Sequence, residues 1–400
     1  MSSDSETDER ASPGTIVSED GSIFIKPATK AEKDFYDTIN YTQGYEELAK
    51  LCPRYYGSLT DFKNVLDIEE IVQEKFEVAT TPGAGHHKSG EPIETHSKHG
   101  GSKAISTTLA IALESLTDPF QEPNTLDIKL GTVLYDNDAA LDKKERFTKV
   151  TATSTNKEYG FRFAGMKVFK GHDAQPDFSK RTEGIPQITK DRFCEYDGKW
   201  GKELKDDEVK DAFRSFLFVP EARVDAELSR YVAQKFLGEV TKMKEVLEQL
   251  VTRMYSASIL FVYEGDGDEL HKQIEYQKNL DSGKEKLRPN LKWKRPQDDS
   301  DDEDEGENYD EYGEPKYIHP AVFKCKLIDF AHATLGKAAM EHQGHDPKDT
   351  EETHEAKRAK RVPAVGEDKN MLKGIERIIT LLKAVKDEIP LTNGHGAEKE

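Results

Sequence analysis

The sequence reads as an α+β protein. Short runs with apolar residues at every second position, suited to half-buried strands, alternate with longer runs whose apolar residues recur at three and four, suited to helices packed on one face. Composition bounds the reading further. At 400 residues, 35% hydrophobic and 34% charged, the chain can bury a sizeable core in one large or two modest domains and is too polar for a membrane protein. Its longest apolar run, Ser258 to Tyr263, is strand-sized, far below the ~18–20 residues that span a bilayer.

The elements follow in order. Thr15-Ile-Val and Ser22-Ile-Phe-Ile-Lys26 flank a turn-rich Ser18-Glu-Asp-Gly-Ser, a hairpin-type connection. A short helix is expected from about Ala31, and Ile105 to Leu116 is a mostly apolar segment ending near Asp118-Pro119. Leu126 to Tyr135 and Gly160 to Phe169 read as strands. Three helices carry clear apolar stripes: Val209, Ala212, Phe213, Phe216 and Leu217; Leu228 to Met254 through Val232, Leu237, Val240, Met243, Val246, Leu247, Leu250 and Val251; and Met371, Ile375, Ile378, Leu382 and Val385. Each stripe reads as core. Strands at Ser256 to Glu264 and Val322 to Ala331 complete the alternation, and no internal repeat is evident.

Charge is unevenly placed. The net −19 includes ten acidic and no basic residues between Asp298 and Glu311, so this tract supplies −10 and the rest of the chain −9. Like charges without apolar periodicity cannot bury enough surface to offset ordering entropy, so 295–315 reads as a disordered insertion, with a basic protein as its potential partner. A second break, Thr81 to Lys103, mixes Gly, Ser and Lys with His86, His87, His96 and His99; without Cys or ligand spacing it reads as a flexible loop, not a zinc site. Its P-loop-like Pro82-Gly-Ala-Gly-His-His-Lys-Ser89 lacks both required glycines. Cys52, Cys194 and Cys325 are odd in number and widely separated, which excludes a readable disulfide framework. The acidic, Ser-rich start offers no signal peptide, and an intracellular protein is expected. Bulk acidity argues against direct nucleic-acid binding.

Four charged residues sit on or beside apolar strands: Lys26, Asp127, Lys129 and Asp329. Strand alternation puts Asp127 and Lys129 on one face. Charge among apolar neighbours calls for a partner or a function, and chemistry alone leaves both an ion pair at a sheet edge and a reactive site open. After Gly131, Lys143, Lys144, Arg146 and Lys149 lie on an expected helix, with 143, 146 and 149 or 150 roughly on one face. Such a cluster runs against the acidic balance, and suits either a multiply phosphorylated ligand or pairing to Asp138, Asp142 and Glu145.

Pro123-Asn-Thr-Leu-Asp127-Ile-Lys129-Leu-Gly131 matches the P-x-x-x-D-x-K-x-G motif of the inositol polyphosphate kinases, and the chain resembles that family from about Thr15 to Asp387. Tyr255-Ser-Ala-Ser258-Ile-Leu-Phe-Val-Tyr-Glu-Gly265 is similar to the family's Ser-Leu-Leu strand, with Ala257 and Ile259 replacing Ser and Leu, and Leu327-Ile-Asp329-Phe-Ala331 to its I-D-F-A metal motif. Ile25-Lys26-Pro27 with Glu32-Lys-Asp-Phe-Tyr36, and Pro53-Arg-Tyr-Tyr-Gly57, are similar to elements of its N-terminal lobe. The resemblance implies a two-lobed kinase-like fold: an N-lobe of antiparallel sheet plus helix over 15–117, carrying the loop 81–103, and a larger C-lobe over 118–390. It also implies a short helical inositol-binding segment at 132–159, with 1–14 and 391–400 as flexible ends. The short stretch between Gly131 and Gly160 and the acidic insertion resemble fungal multikinases most.

The same resemblance implies roles. Lys26 contacts ATP phosphates with Glu32 as its ion-pair partner, Glu114 and Leu116 hold adenine in the hinge, Ser258 helps line the nucleotide or metal site, and Asp329 binds Mg²⁺. Lys129 contacts the inositol phosphate and the moving phosphoryl group, Asp127 orients a hydroxyl, and Lys143, Lys144, Arg146 and Lys149 receive the acceptor's phosphates. No H-R-D loop is present and Asp329-Phe-Ala replaces D-F-G, against a protein substrate. The expectation is an inositol polyphosphate multikinase of nucleus and cytoplasm; the alternatives are a hexakisphosphate kinase or a scaffold for basic transcription factors.

Overall fold

Ile16 and Val17 (β1) pair antiparallel with Ile23–Pro27 (β2) across a turn closed by Ser18 N–H donating to the Ile23 carbonyl at 2.9 Å. The computed structural model describes residues 15–18, 21–60, 109–136, 139–289, 317–336 and 368–390. The acidic tract, the histidine loop 81–103, and residues 1–14 and 391–400 lie outside them. Thr29 caps the helix Lys30–Tyr41 (α1), its hydroxyl accepting from Glu32 N, and the chain continues through Glu46–Leu51 (α2), Tyr55–Thr60 (β3) and Leu109–Glu114 (β4). The first sheet has the order β1-β2-β4-β3. Its small apolar cluster joins Ile16, Ile25, Leu59, Ala110 and Ala112.

Pro123–Leu130 (β5) opens the second sheet. Leu126, Ile128 and Leu130 are fully buried while Thr125, Asp127 and Lys129 point the other way, the period-two alternation of a strand with one core face. The strand stops at Leu130, not near Tyr135, because Gly131 turns at φ +105° and donates to Gly160 O at 2.7 Å. Leu141–Thr153 (α3) and the single turn Asn156–Tyr159 (α4) follow, then Phe161–Phe169 (β6), Gln187–Ile188 (β7), Phe193–Tyr196 (β8) and Gly198–Glu203 (α5).

Val209–Leu217 (α6) buries the stripe read from sequence, and Ala226–Glu248 (α7) buries Val232, Leu237, Val240, Met243 and Leu247 of its own, leaving Val246 half-buried and Leu250 and Val251 beyond its end. The second helix ends at Glu248, short of Met254: the β-branched Val251-Thr252 lead into a strand, Thr252–Met254 (β9). Ser258–Glu264 (β10), Gly267–Asp281 (α8), Arg288–Pro289 (β11), Tyr317–Ile318 (β12), Phe323–Ile328 (β13), Ala333–Leu335 (β14) and Lys369–Glu388 (α9) complete the chain. The second sheet runs β13-β10-β5-β6-β8-β7, and β9 pairs with β14. Phe161, Phe213, Phe216, Phe236, Phe261 and Tyr263 fill the core between this sheet and the helices α6, α7 and α9. Each such side chain contributes on the order of 1.5–3 kcal/mol by burial.

The two sheets meet through few, specific contacts. Phe330 stacks on Phe35 of α1 (centroids 4.0 Å apart) and meets Tyr36 edge-on at 5.5 Å. Lys324 pairs with Glu114, and Lys326 Nζ donates to Lys50 O at 2.6 Å. An α+β, two-sheet kinase-like architecture results.

Candidate active site

Three antiparallel strands set the floor of the cleft. Lys129 on β5 is in register with Ser258 on β10, which is in register with Ile328 on β13, so the first residue past β13, Asp329, emerges beside Lys129. Asp329 turns the chain at φ +66°, a left-handed conformation costly for a residue with a Cβ and best tolerated by Asp and Asn. Lys129 Nζ donates to Asp329 Oδ2 at 3.2 Å and to Ser256 O at 3.0 Å. From the first sheet, Lys26 Nζ reaches the other carboxylate oxygen, Oδ1, at 3.1 Å. Lys26 also pairs with buried Glu32 at 2.8 Å, and Glu32 Oε1 accepts from Phe330 N at 3.2 Å. One carboxylate thus joins ammonium groups from both sheets.

The electrostatics are asymmetric. Burial works to raise the Asp329 carboxyl, but the two lysines outweigh it and hold it below the ordinary carboxylate range. Burial likewise works to depress Lys26, and the Asp329 and Glu32 charges outweigh it and raise the ammonium. Asp127 goes the other way: burial raises its carboxyl, Asp329 adds to that, and Lys129 only partly offsets it. Its Oδ1 is buried without a hydrogen-bond partner of ordinary geometry, as is the Ser258 hydroxyl. Buried polar atoms are rarely left so, and both lie on the cleft face of the sheet.

The cleft is lined by Lys26, Glu32, Lys129, Tyr255, Ser256, Asp329, Ala331 and His332. Ser256, like Asp329, has positive φ, so two residues in a strained backbone state line it. His332 Nδ1 donates to Asp136 Oδ2 at 2.6 Å, which leaves Nε2 to accept from Lys143 Nζ at 3.0 Å. Lys143 is therefore drawn to the cleft. Lys144, Arg146 and Lys149 do not line it: Arg146 and Lys149 are exposed on α3, and Lys144 is half-buried. Glu114 is held between Lys324 and the Arg54 amide; burial raises its carboxyl, and Lys324 reverses the shift to a net lowering. Leu116 packs with Phe120 and Val262 in a small apolar cluster on the cleft side of the sheet, with Leu260 and Ile328 beside it.

A family model described as inositol polyphosphate kinase matches residues 110–383. The chain belongs to the inositol polyphosphate kinase family. It is 28% identical over 262 residues to the inositol polyphosphate multikinase of Saccharomyces cerevisiae, covering 63% of this chain and 70% of that one. It is 27% identical over 253 residues to that of Schizosaccharomyces pombe, covering 62% and 74%. Human inositol hexakisphosphate kinase 2 is 28% identical over 244 residues, covering 59% of this chain and 47% of its own length. A crystal structure of the S. cerevisiae inositol phosphate multikinase with ADP and Mn²⁺ superimposes with TM-score 0.52 at 21% identity, over 91% of this chain and 99% of that one, a likeness of fold. In this kinase, sequence reasoning missed His332, Tyr255 and Ser256. A histidine three residues beyond the motif aspartate was the available signal for the first; the other two reach the cleft only through sheet register.

Proposed function

We propose that this kinase is an ATP-dependent inositol polyphosphate multikinase, moving the γ-phosphate of ATP to hydroxyls of inositol tris- and tetrakisphosphates. The observation that carries the reading is the Lys26–Asp329–Lys129 bridge across the two sheets, with Lys143 and His332 at its far side. Phosphoryl transfer asks a protein for position and charge neutralisation more than for covalent work. Lys26 meets the nucleotide phosphates. Leu116, Phe120 and Val262 give the adenine an apolar floor next to the strand-end at Glu114. Lys129 lies between donor and acceptor, where a compact cation counters charge on the equatorial phosphoryl oxygens. Asp127 Oδ1 accepts from a substrate hydroxyl, which satisfies the buried oxygen.

A divalent cation fits the donor set. Asp329 is ionised and 39% exposed, and Asp127 Oδ1 and Ser258 Oγ are buried oxygens with no hydrogen bond of ordinary geometry, the hard ligands Mg²⁺ takes. Asp329, with Asp127 or Ser258, would hold it, and it would supply neutralisation of phosphate charge. Acceptor phosphates fall to Lys143, which His332 holds at the cleft. The acceptor side is small, one 13-residue helix and one further turn between Gly131 and Gly160, which favours multikinase over narrower specificity.

Incubation with ATP, Mg²⁺ and inositol 1,4,5-trisphosphate, followed by separation of products by charge, tests the reading. Tetrakis- and pentakisphosphates are expected. Turnover of the hexakisphosphate alone would assign the pyrophosphate-forming reaction instead, and no product from either would overturn the proposal.

A further inference from the structure

The helix α3 carries Lys143 to the cleft, yet none of its thirteen residues is buried. Apolar packing is limited to the half-buried Phe147 and Val150, so its position depends largely on how the ends of the segment 131–160 are fixed. Both ends stand on the first turns of α9. At the leading end, Asn370 Oδ1 accepts from Thr132 N and Val133 N, each at 2.8 Å, and from Thr132 Oγ1 at 3.2 Å, while Asn370 Nδ2 donates to Val133 O at 2.9 Å. The amide lies against Gly131, where a Cβ would come within 2.7 Å of Nδ2. At the trailing end, Gly374 packs against Gly160, so closely that a Cβ on Gly374 would lie 2.4 Å from the Gly160 carbonyl oxygen.

The platform itself is rigid. Met371, Leu372, Ile375, Ile378, Leu382 and Val385 bury the inner face of α9. Its N-cap Asp368 is buried and accepts from Met254 N at 2.7 Å, tying the helix to the strand that leads to Tyr255 and Ser256. Three residues beyond Val133, the last residue Asn370 holds, the clamped loop delivers Asp136 to His332, and through it Lys143 to the cleft.

We infer that Asn370, which is not among the residues lining the cleft, is a positioning residue for the acceptor: it fixes the loop 131–136 and so sets the affinity for the inositol phosphate and not for ATP. This rests on the proposed function. The test is Asn370→Ala, with Asn370→Asp as the conservative variant, which keeps an acceptor for the Thr132 and Val133 amides but loses the donation from Nδ2 to Val133 O. Hydrogen exchange of the Thr132 and Val133 amides reads the clamp without reference to activity, and steady-state kinetics read the consequence.

In Asn370→Ala those two amides should exchange at least ~10-fold faster while Ile128 and Leu130 stay protected. The KM for inositol trisphosphate should rise roughly 5–10-fold, with kcat and the KM for ATP within about twofold, and Asn370→Asp should recover part of the loss. Unchanged exchange would overturn the clamp alone. Faster exchange with equal shifts in both KM values, or in neither, would overturn the positioning role. A wild-type protein inactive on inositol phosphates would overturn the functional reading and, with it, this role of Asn370.

Discussion

The two sides of the cleft are held in place by different physics. On the nucleotide side, Phe330 is clasped by Phe35 and Tyr36, and the buried Glu32 ties Lys26 to the backbone of the metal-motif loop. Dense aromatic packing and a shielded ion pair leave that side a single arrangement. The acceptor side is a helix with no buried residue, located by hydrogen bonds at its feet and by the Asp136–His332–Lys143 chain. Hydrogen bonds fix a backbone path but leave a solvated helix more freedom to adjust than a packed one. On the proposed function, chemistry would belong to the packed side and selectivity to the tethered one.

That division can be broken in order. Asp329→Asn, a replacement that tolerates positive φ, should lower turnover by ~10³-fold or more, since it removes the anion shared by both lysines. A cooperative unfolding transition should persist; stopped turnover together with lost cooperativity would mean the residue is structural. Phe330→Ala should cost about 3–5 kcal/mol in urea denaturation and raise the KM for ATP more than that for the acceptor. If the acceptor KM rose equally, the packed side would not be confined to the nucleotide.

Lys143→Glu should do the reverse, raising the acceptor KM ~10-fold, near 1.4 kcal/mol, with the ATP KM within about twofold. Steady-state kinetics with each substrate varied at saturation of the other decide this.

The smallest effect is a pH dependence of opposite sign for the two aspartates, measured as stability between about pH 3 and 7 without metal. Asp329 titrates below its unfolded value near 3.9, so its contribution is complete above that pH and fades as pH falls through the lower folded value. Asp127 titrates above its unfolded value, so its contribution is complete below about 3.9 and is lost as pH rises through the higher folded value. Relative to wild type, Asp329→Asn should therefore look worst at neutral pH and Asp127→Asn best there. Parallel curves would show that the two sites share one environment.

Much of this was readable beforehand wherever the information is local. The period-two pattern of β5 placed Asp127 and Lys129 on one face because successive side chains in a strand must alternate. The stripes of α6 and α9 were found for the same reason at period 3.6. Local pattern failed where long-range pairing competes: α7 stops at Glu248 because Thr252–Met254 is captured by β14 and Asp368, more than seventy residues downstream. The basic helix was legible as charge, yet spacing could not say that Lys143 faces the cleft and Arg146 and Lys149 face solvent.

Sequence order and side-chain periodicity suffice for the α+β class, the family motifs and the faces on which their charges sit, since these depend on neighbours a few bonds or one turn away. Tertiary packing alone chose the company those charges keep. Lys26 and Asp329 are 303 residues apart and meet only because Phe330 docks on α1; Asn370 meets Thr132 across 238 residues because α9 lies under both ends of the acceptor segment. Such contacts form when buried surface brings distant elements together, and nothing in the local spacing of either partner encodes them.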